Sequence, residues 1–123
     1  MKSVLVIDDD PDVRLLLGVV LERLGVTVLM ASNGREGLQV YEDRQLDLVL
    51  LDAVLPEVNG FRVLETMRQR NPDVPIVMLT SRGEESDIIR GLELGATEYL
   101  TKPFSPAEIR VRCARWLGDG GSA

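Results

Sequence analysis

The sequence has no histidine, one cysteine and only 4% aromatic residues among its 123 positions. Without an imidazole, the chain cannot use histidine as a general acid or base, as a metal ligand or as a phosphate carrier. Cys113 has no second cysteine with which to form an internal disulfide, and we interpret it as a small hydrophobic residue of the core. The scarcity of aromatic side chains predicts a core built from aliphatic residues.

Positive charge is also scarce. The chain carries 14 basic and 20 acidic residues, for a net charge of −6, which argues against direct binding of nucleic acid. No apolar run approaches the roughly 20 residues of a membrane-spanning helix, and the amino terminus lacks the pattern of a signal peptide. We therefore expect one domain in the cytoplasm, with neither a membrane nor a nucleic acid as a direct partner.

Short apolar runs bounded by turn signals predict five strands. The clearest run, Leu48 to Leu51, leads directly into Asp52 and is followed by a proline and an Asn-Gly pair. Uninterrupted apolar runs of this length are typical of parallel strands that are buried on both faces. The predicted strands cover residues 4–7, 26–31, 47–51, 74–79 and 97–101.

Apolar residues at helical spacing predict a helix after each strand. Asp10 is placed to cap the first helix and Pro11 to begin it. Gly37 should weaken the second helix by about 1 kcal/mol relative to alanine. The predicted helices cover residues 11–24, 35–45, 60–70, 84–94 and 106–117. This alternation predicts an α/β fold with a doubly wound parallel sheet and right-handed crossovers.

Polar residues follow four of the predicted strands. Asp8 and Asp9 follow the first strand, Asp52 the third, Thr80 the fourth and Lys102 the fifth. The carboxyl ends of parallel strands share one edge of the sheet, which is where ligands bind in open α/β folds. Three carboxylates there would repel one another, and a divalent cation such as Mg²⁺ would relieve the repulsion. Together with a lysine and a hydroxyl, they supply what phosphoryl transfer needs.

Each of these residues also has an ordinary structural interpretation. Asp52 alone fits a residue that merely caps or solvates the end of its strand. Thr80 alone fits a turn hydroxyl, and Lys102 alone fits a solvated loop charge. Their joint occurrence at four strand ends is what favours a functional site.

With these residues, the chain resembles the response-regulator receiver domains of bacterial two-component systems. The resemblance implies a flavodoxin-like α/β fold, in which a five-stranded parallel sheet of order 2-1-3-4-5 is surrounded by five helices. It implies one receiver domain over residues 1–118, and we expect residues 119–123 to be a flexible Gly-rich tail or a truncated linker. The motifs that carry the resemblance are Val6-Ile7-Asp8-Asp9, Leu51-Asp52 with Pro56 and Asn59-Gly60, Leu79-Thr80-Ser81, and Gly95 to Phe104.

The resemblance also implies roles for the site residues. Asp52 would accept the phosphoryl group as an acyl phosphate. Asp8, Asp9 and Asp52, with the backbone carbonyl of Val54, would hold Mg²⁺ or Mn²⁺. Lys102 would contact the phosphoryl group.

Further implied features concern the switch. The peptide bond between Lys102 and Pro103 is expected to be cis, an exception that proline permits. Thr80 and Tyr99 would form the switch pair. Thr80 would move toward the phosphoryl oxygens while Tyr99 swings inward and remodels the face made by helix 4, strand 5 and helix 5.

Four charged residues resemble the set on this face in receivers that are attached to winged-helix transcription factors. In that branch of the family, the face forms a phosphorylation-promoted homodimer. The alternative is ordinary surface charge, because exposed ion pairs contribute little stability. The four residues are Arg90, Glu98, Glu108 and Arg112.

Val54 and Arg82 flank the route that attacking water takes in the family. Val54, two residues after Asp52, is apolar where many relatives carry a polar residue or methionine. We therefore hypothesise a fairly long-lived phosphorylated state, because Val54 cannot orient a water molecule. A lifetime of seconds would contradict this.

The resemblance implies partners as well. The donor would be a sensor histidine kinase or a phosphotransfer protein, and the target an output domain or a downstream protein. The domain would catalyse only its own phosphorylation and dephosphorylation, so it would not be an enzyme that acts on other substrates.

Other functions fit the residues less well. A phosphatase or mutase of the haloacid dehalogenase type needs a second aspartate where this chain has Val54. A flavodoxin-like nucleotide binder needs a glycine-rich or hydroxyl-rich loop after the first strand, where this chain has three aspartates. A degenerate receiver that serves only as an interaction module is a third alternative, although all of the site residues are present.

Overall fold

Strands and helices alternate along the whole described part of the chain. The structure is a computed structural model and describes residues 1–81 and 85–118. In these residues the elements are β1 Ser3–Ile7, α1 Pro11–Arg23, β2 Thr27–Ala31, α2 Gly34–Asp43, β3 Leu48–Asp52, α3 Gly60–Arg70, β4 Ile76–Thr80, α4 Glu85–Glu93, β5 Glu98–Thr101 and α5 Pro106–Trp116.

The sheet has the predicted topology. Its strand order is β2-β1-β3-β4-β5, and each neighbouring pair is parallel. β3 and β4 are buried at every position, and β1 at every position after Ser3. The prediction of strands covered on both faces is therefore confirmed for β1 and β3, and β4 is buried in the same way.

Two layers of helices cover the sheet, and the alternation of side chains along β1 shows the division. Leu5 and Ile7 belong to the core that α2 and α3 cover, whereas Val4 and Val6 belong to the core beneath α1 and α5. Cys113 of α5 lies in the second core, where burial raises the pKa of its thiol to about 12. Its interpretation as a core residue is confirmed.

Apart from the start of α4, the predicted element ends agree with the structure to within two residues. α1 begins at Pro11, and the Asp10 side chain caps it by accepting a hydrogen bond from the backbone N–H of Asp12 at 2.9 Å. Ser105 caps α5 by accepting from the N–H of Glu108 at 3.0 Å.

Three expectations cannot be compared with the structure, because they fall outside the described residues. They are the position of Arg82 beside the route of attacking water, the opening of helix 4 at Glu84 and the tail over residues 119–123. Within the described residues, no helix has the length and apolar character needed to cross a membrane.

Gly37 has a packing role that its helix propensity does not reveal. A Cβ atom placed on Gly37 would lie 2.3 Å from Cδ1 and 2.8 Å from Cγ1 of Ile7. Ile7 is fully buried in β1, so it has little room to move away. The absence of a side chain at Gly37 therefore allows α2 to pack closely against the sheet.

We expect Gly37→Ala to lower the free energy of unfolding by about 1 to 3 kcal/mol, because the added methyl group overpacks the core. Helix propensity alone predicts a gain of about 1 kcal/mol. Gly18→Ala in α1 is the matched control, since a Cβ there meets only the terminal carbon of the exposed Met30, at 2.9 Å. Urea unfolding compares the two variants. A Gly37→Ala protein as stable as Gly18→Ala would contradict the packing role.

Candidate functional site

The sheet register brings three aspartates together at its carboxyl edge. Ile7 of β1 pairs with Leu51 of β3, so the residues that follow them, Asp8 and Asp52, lie side by side. Asp8 and Asp52 are buried, and Asp9 is exposed. One carboxylate oxygen from each of the three lies within 4.8 Å of the others. The predicted acidic cluster is therefore present in the structure.

The loop between β3 and α3 packs tightly against Asp52. A Cβ atom on Gly60 would lie 2.1 Å from the backbone oxygen of Asp52, so only glycine permits this approach of the two segments. Asn59 caps α3 by accepting from the N–H of Phe61 at 2.8 Å. The N–H of Val54 donates to Asp52 Oδ1 at 3.0 Å. The Asn-Gly pair thus serves to start α3 beside the carboxylate.

Lys102 forms ion pairs with two of the three carboxylates. Its Nζ lies 2.9 Å from Asp8 Oδ2 and 3.3 Å from Asp52 Oδ2. Its backbone N–H donates to the carbonyl oxygen of Thr80 at 2.6 Å, which anchors the residue at the end of β4. The bond between Lys102 and Pro103 is cis. Lys102 is therefore held where its charge acts on both buried carboxylates.

Burial and charge act together on the site. Burial raises the pKa of Asp52 to about 6; the N–H of Val54 and the Lys102 ammonium oppose this rise, and the Asp8 carboxylate adds to it. Burial lowers the pKa of Lys102, but the carboxylates of Asp8 and Asp52 outweigh burial and hold that pKa above its ordinary value. One ammonium does not balance three carboxylates when all are ionised. The surplus of negative oxygen ligands suits a hard divalent cation.

Thr80 and Tyr99 lie next to this cluster. Thr80 is fully buried at the end of β4, and the Tyr99 hydroxyl is buried close to the Thr80 side chain. Burial raises the pKa of Tyr99, while the nearby Thr80 hydroxyl lowers it. A Cβ on Gly91 of α4 would lie 3.1 Å from Cε2 of Tyr99. The Tyr99 ring therefore lies between the site and α4.

A pocket of about 190 Å³ opens beside these residues, and Thr80 and Tyr99 line it. Phe61 and Arg90 also line the pocket, with the Arg90 guanidinium 4.6 Å from the centre of the Phe61 ring.

The other three charged residues form one network on β5 and α5. Arg112 forms an ion pair with Glu98, and its Nη2 lies 3.9 Å from Glu108. The indole N–H of Trp116 also donates to Glu98. Sequence reasoning treated Trp116 only as part of the apolar stripe. Its spacing of four residues from Arg112 is the signal that could have placed it in the network.

Arg14 is a second residue that sequence reasoning missed. Its Nη1 donates to the backbone oxygen of Asp8 at 2.6 Å. The available signal was a cation near the start of a helix, where the helix dipole disfavours positive charge.

Comparisons with known proteins agree with this geometry. The family model "Response regulator receiver domain" matches residues 4–114. The chain is 46% identical to the alkaline phosphatase synthesis transcriptional regulatory protein PhoP of Bacillus subtilis, over 90% of this chain and 46% of that protein. It is 42% identical to the phosphate regulon transcriptional regulatory protein PhoB of Pseudomonas aeruginosa, over 98% of this chain and 55% of that protein. The chain thus spans about half the length of these relatives.

Solved structures share the whole fold. A CheY-like response regulator receiver domain protein from Methanospirillum hungatei superposes with a TM-score of 0.92 at 27% identity, covering 99% of this chain and 98% of that one. The BeF3-activated DrrB receiver domain superposes with a TM-score of 0.90 at 27% identity, covering 96% and 98%. The family match, the sheet order and the acidic edge with its lysine lead to one conclusion: this chain belongs to the receiver domain family of two-component response regulators.

Proposed function

We propose that Asp52 is the phosphoryl acceptor of a signalling switch, and that Asp8, Asp9 and Lys102 prepare it for the transfer. The observation that carries the proposal is the bridge from Lys102 Nζ to the carboxylates of Asp8 and Asp52 at the carboxyl edge of the sheet. An acidic residue that served only to end a strand would be solvated, whereas Asp52 is 4% exposed and lies within a charged cluster.

The proposed donor is the phosphohistidine of a sensor histidine kinase or of a phosphotransfer protein. A carboxylate oxygen of Asp52 attacks the phosphorus atom, the new P–O bond forms, and the P–N bond to the donor breaks. The electron pair of that bond stays on the imidazole nitrogen. An imidazolate formed in this way takes up a proton from solvent and becomes neutral imidazole. Because this chain has no histidine of its own, the donor must be another protein or segment.

The acidic cluster would hold Mg²⁺ or Mn²⁺ through Asp8, Asp9, Asp52 and the backbone carbonyl of Val54. The cluster fits such a cation, because it offers hard oxygen donors within 4.8 Å of one another. When bound, the cation supplies positive charge that lets an incoming phosphoryl group approach the carboxylates. Lys102 supplies a second, orientable positive charge for the same oxygens.

Thr80 and Tyr99 would carry the signal away from Asp52. The Thr80 hydroxyl lies at the carboxyl edge and can donate to a phosphoryl oxygen. Tyr99 packs between the site and Gly91, so a shift of Thr80 changes what the ring and α4 can pack against. The face formed by α4, β5 and α5 is the proposed output surface.

The proposed target of this surface is an output domain or a downstream protein. The relatives are transcriptional regulators about twice as long as this chain, which supports an output domain in the same protein.

A phosphorylation-promoted homodimer is also proposed to form on this surface. The residues proposed to support it are Arg90, Glu98, Glu108 and Arg112. Sizing chromatography tests the dimer, since an unchanged monomer after phosphorylation would contradict it.

We propose a cytoplasmic location.

Phosphorylation by a small phosphoramidate or acyl phosphate donor tests the assignment of Asp52. We expect intact mass spectrometry to show a gain of one phosphoryl group that requires Mg²⁺ and is abolished by Asp52→Asn. Asp43→Asn, an exposed carboxylate of α2, is the matched control and should be phosphorylated like the wild-type protein. Absence of phosphorylation in the wild-type protein would favour a degenerate module and contradict the proposal.

The lifetime of the phosphorylated state tests the role of Val54. Val54 is 54% exposed beside the acceptor, and its apolar side chain cannot orient a water molecule. We expect a lifetime of minutes or longer at neutral pH with Mg²⁺, and a several-fold shorter lifetime for Val54→Asn, whose amide can hydrogen-bond water. Loss of the added phosphoryl mass with time measures both values. A wild-type lifetime of seconds would rule out this role.

A further inference from the structure

Arg14 occupies a position that the helix dipole alone disfavours. It is the fourth residue of α1, close to the positive end of the helix, where acidic side chains are the stabilising ones. Its guanidinium Nη1 instead donates to the backbone oxygen of Asp8 at 2.6 Å. A charge-assisted hydrogen bond of this kind is stronger than a neutral one.

Asp8 is held by four groups at once. Its N–H donates to the carbonyl oxygen of Ala31 at 3.1 Å, and its Oδ1 accepts from the N–H of Asp10 at 2.9 Å. Its Oδ2 accepts from Lys102 Nζ at 2.9 Å. Arg14 occupies the backbone oxygen, the remaining polar atom. The side chain of Asp8 would therefore keep its partners if Arg14 were removed.

Asp9 is in the opposite situation. Its side chain is exposed and, within residues 1–81 and 85–118, forms no hydrogen bond or ion pair. Its direction is therefore set by the backbone to which it is attached. The carbonyl of Asp8 and the N–H of Asp9 belong to the same rigid, planar peptide unit. Because Arg14 fixes the Asp8 carbonyl, it also fixes the backbone nitrogen of Asp9.

We infer that Arg14 is a positioning residue of the cation site: by fixing the peptide plane between Asp8 and Asp9, it holds the otherwise unsupported Asp9 carboxylate within the acidic cluster. This inference rests on the proposed function, in which that cluster binds Mg²⁺. Loss of a residue that orients a metal ligand typically weakens metal binding by about 10- to 100-fold.

Removal of Arg14 takes away both a positive charge and a hydrogen bond, and these two losses have opposite predicted effects on the affinity for Mg²⁺. Loss of a positive charge near the site would by itself strengthen the binding of Mg²⁺, because it removes a repulsion. Loss of the hydrogen bond to the Asp8 carbonyl would weaken the binding, because Asp9 becomes free to turn away. The direction of the change therefore distinguishes a positioning role from a purely electrostatic one.

The test is an isothermal calorimetric titration of the full chain with Mg²⁺. We expect Arg14→Met to raise the Kd for Mg²⁺ about tenfold. Arg14→Lys, which keeps a charged donor, should return the Kd to within about threefold of the wild-type value. Arg23→Met is the matched control, because it removes the same charge from the exposed far end of α1 and should leave the Kd unchanged. Circular dichroism checks that each variant is folded, and Arg14→Gln replaces Arg14→Met if the latter does not fold.

A Kd for Arg14→Met equal to or below that of Arg23→Met would overturn the inference, as would an Arg14→Lys protein no better than Arg14→Met. The titration involves no phosphoryl transfer, so it is separable from the proposed function. If the variants behave as expected while Asp52 accepts no phosphoryl group, the proposed function fails and the role of Arg14 stands. If Asp52 is phosphorylated and Arg14→Met binds Mg²⁺ like the control, only the role of Arg14 fails.

Discussion

The repulsion among three carboxylates at one edge of the sheet is the constraint on which the rest of the site depends. Asp8 and Asp52 are buried side by side because β1 and β3 are neighbours in register. Their charges are tolerated because Lys102 contacts both, and because backbone N–H groups satisfy the remaining oxygens. Two buried carboxylates and one exposed carboxylate share a single ammonium, so the ionised cluster is net negative and favours the uptake of a divalent cation.

Much of this arrangement could be predicted from sequence, because two simple patterns encode it. Apolar runs gave the strands, and a single polar residue at the end of each run marked the edge where ligands bind. Asp52, Thr80 and Lys102 were identified in this way. These patterns do not determine the strand order: the expectation that β1 and β3 are neighbours came from the family resemblance, and the structure confirms it.

What could not be predicted depends on contacts between segments that are distant in sequence. Gly37 was interpreted as a weak point of its helix, yet it is where α2 meets Ile7. Arg14 and Trp116 gave apparently ordinary helical signals, and only their partners across the fold show their roles. Sequence spacing defines a helical face, whereas the partner of each side chain depends on the neighbouring elements.

A crystal structure of the chain grown with Mg²⁺ and beryllofluoride would test the central claim most directly. Our account predicts beryllofluoride on a carboxylate oxygen of Asp52, the cation among Asp8, Asp9 and Asp52, and Lys102 Nζ in contact with a fluorine atom. A structure at saturating reagent in which Asp52 carries no beryllofluoride, or in which the cation binds away from the three carboxylates, would contradict it.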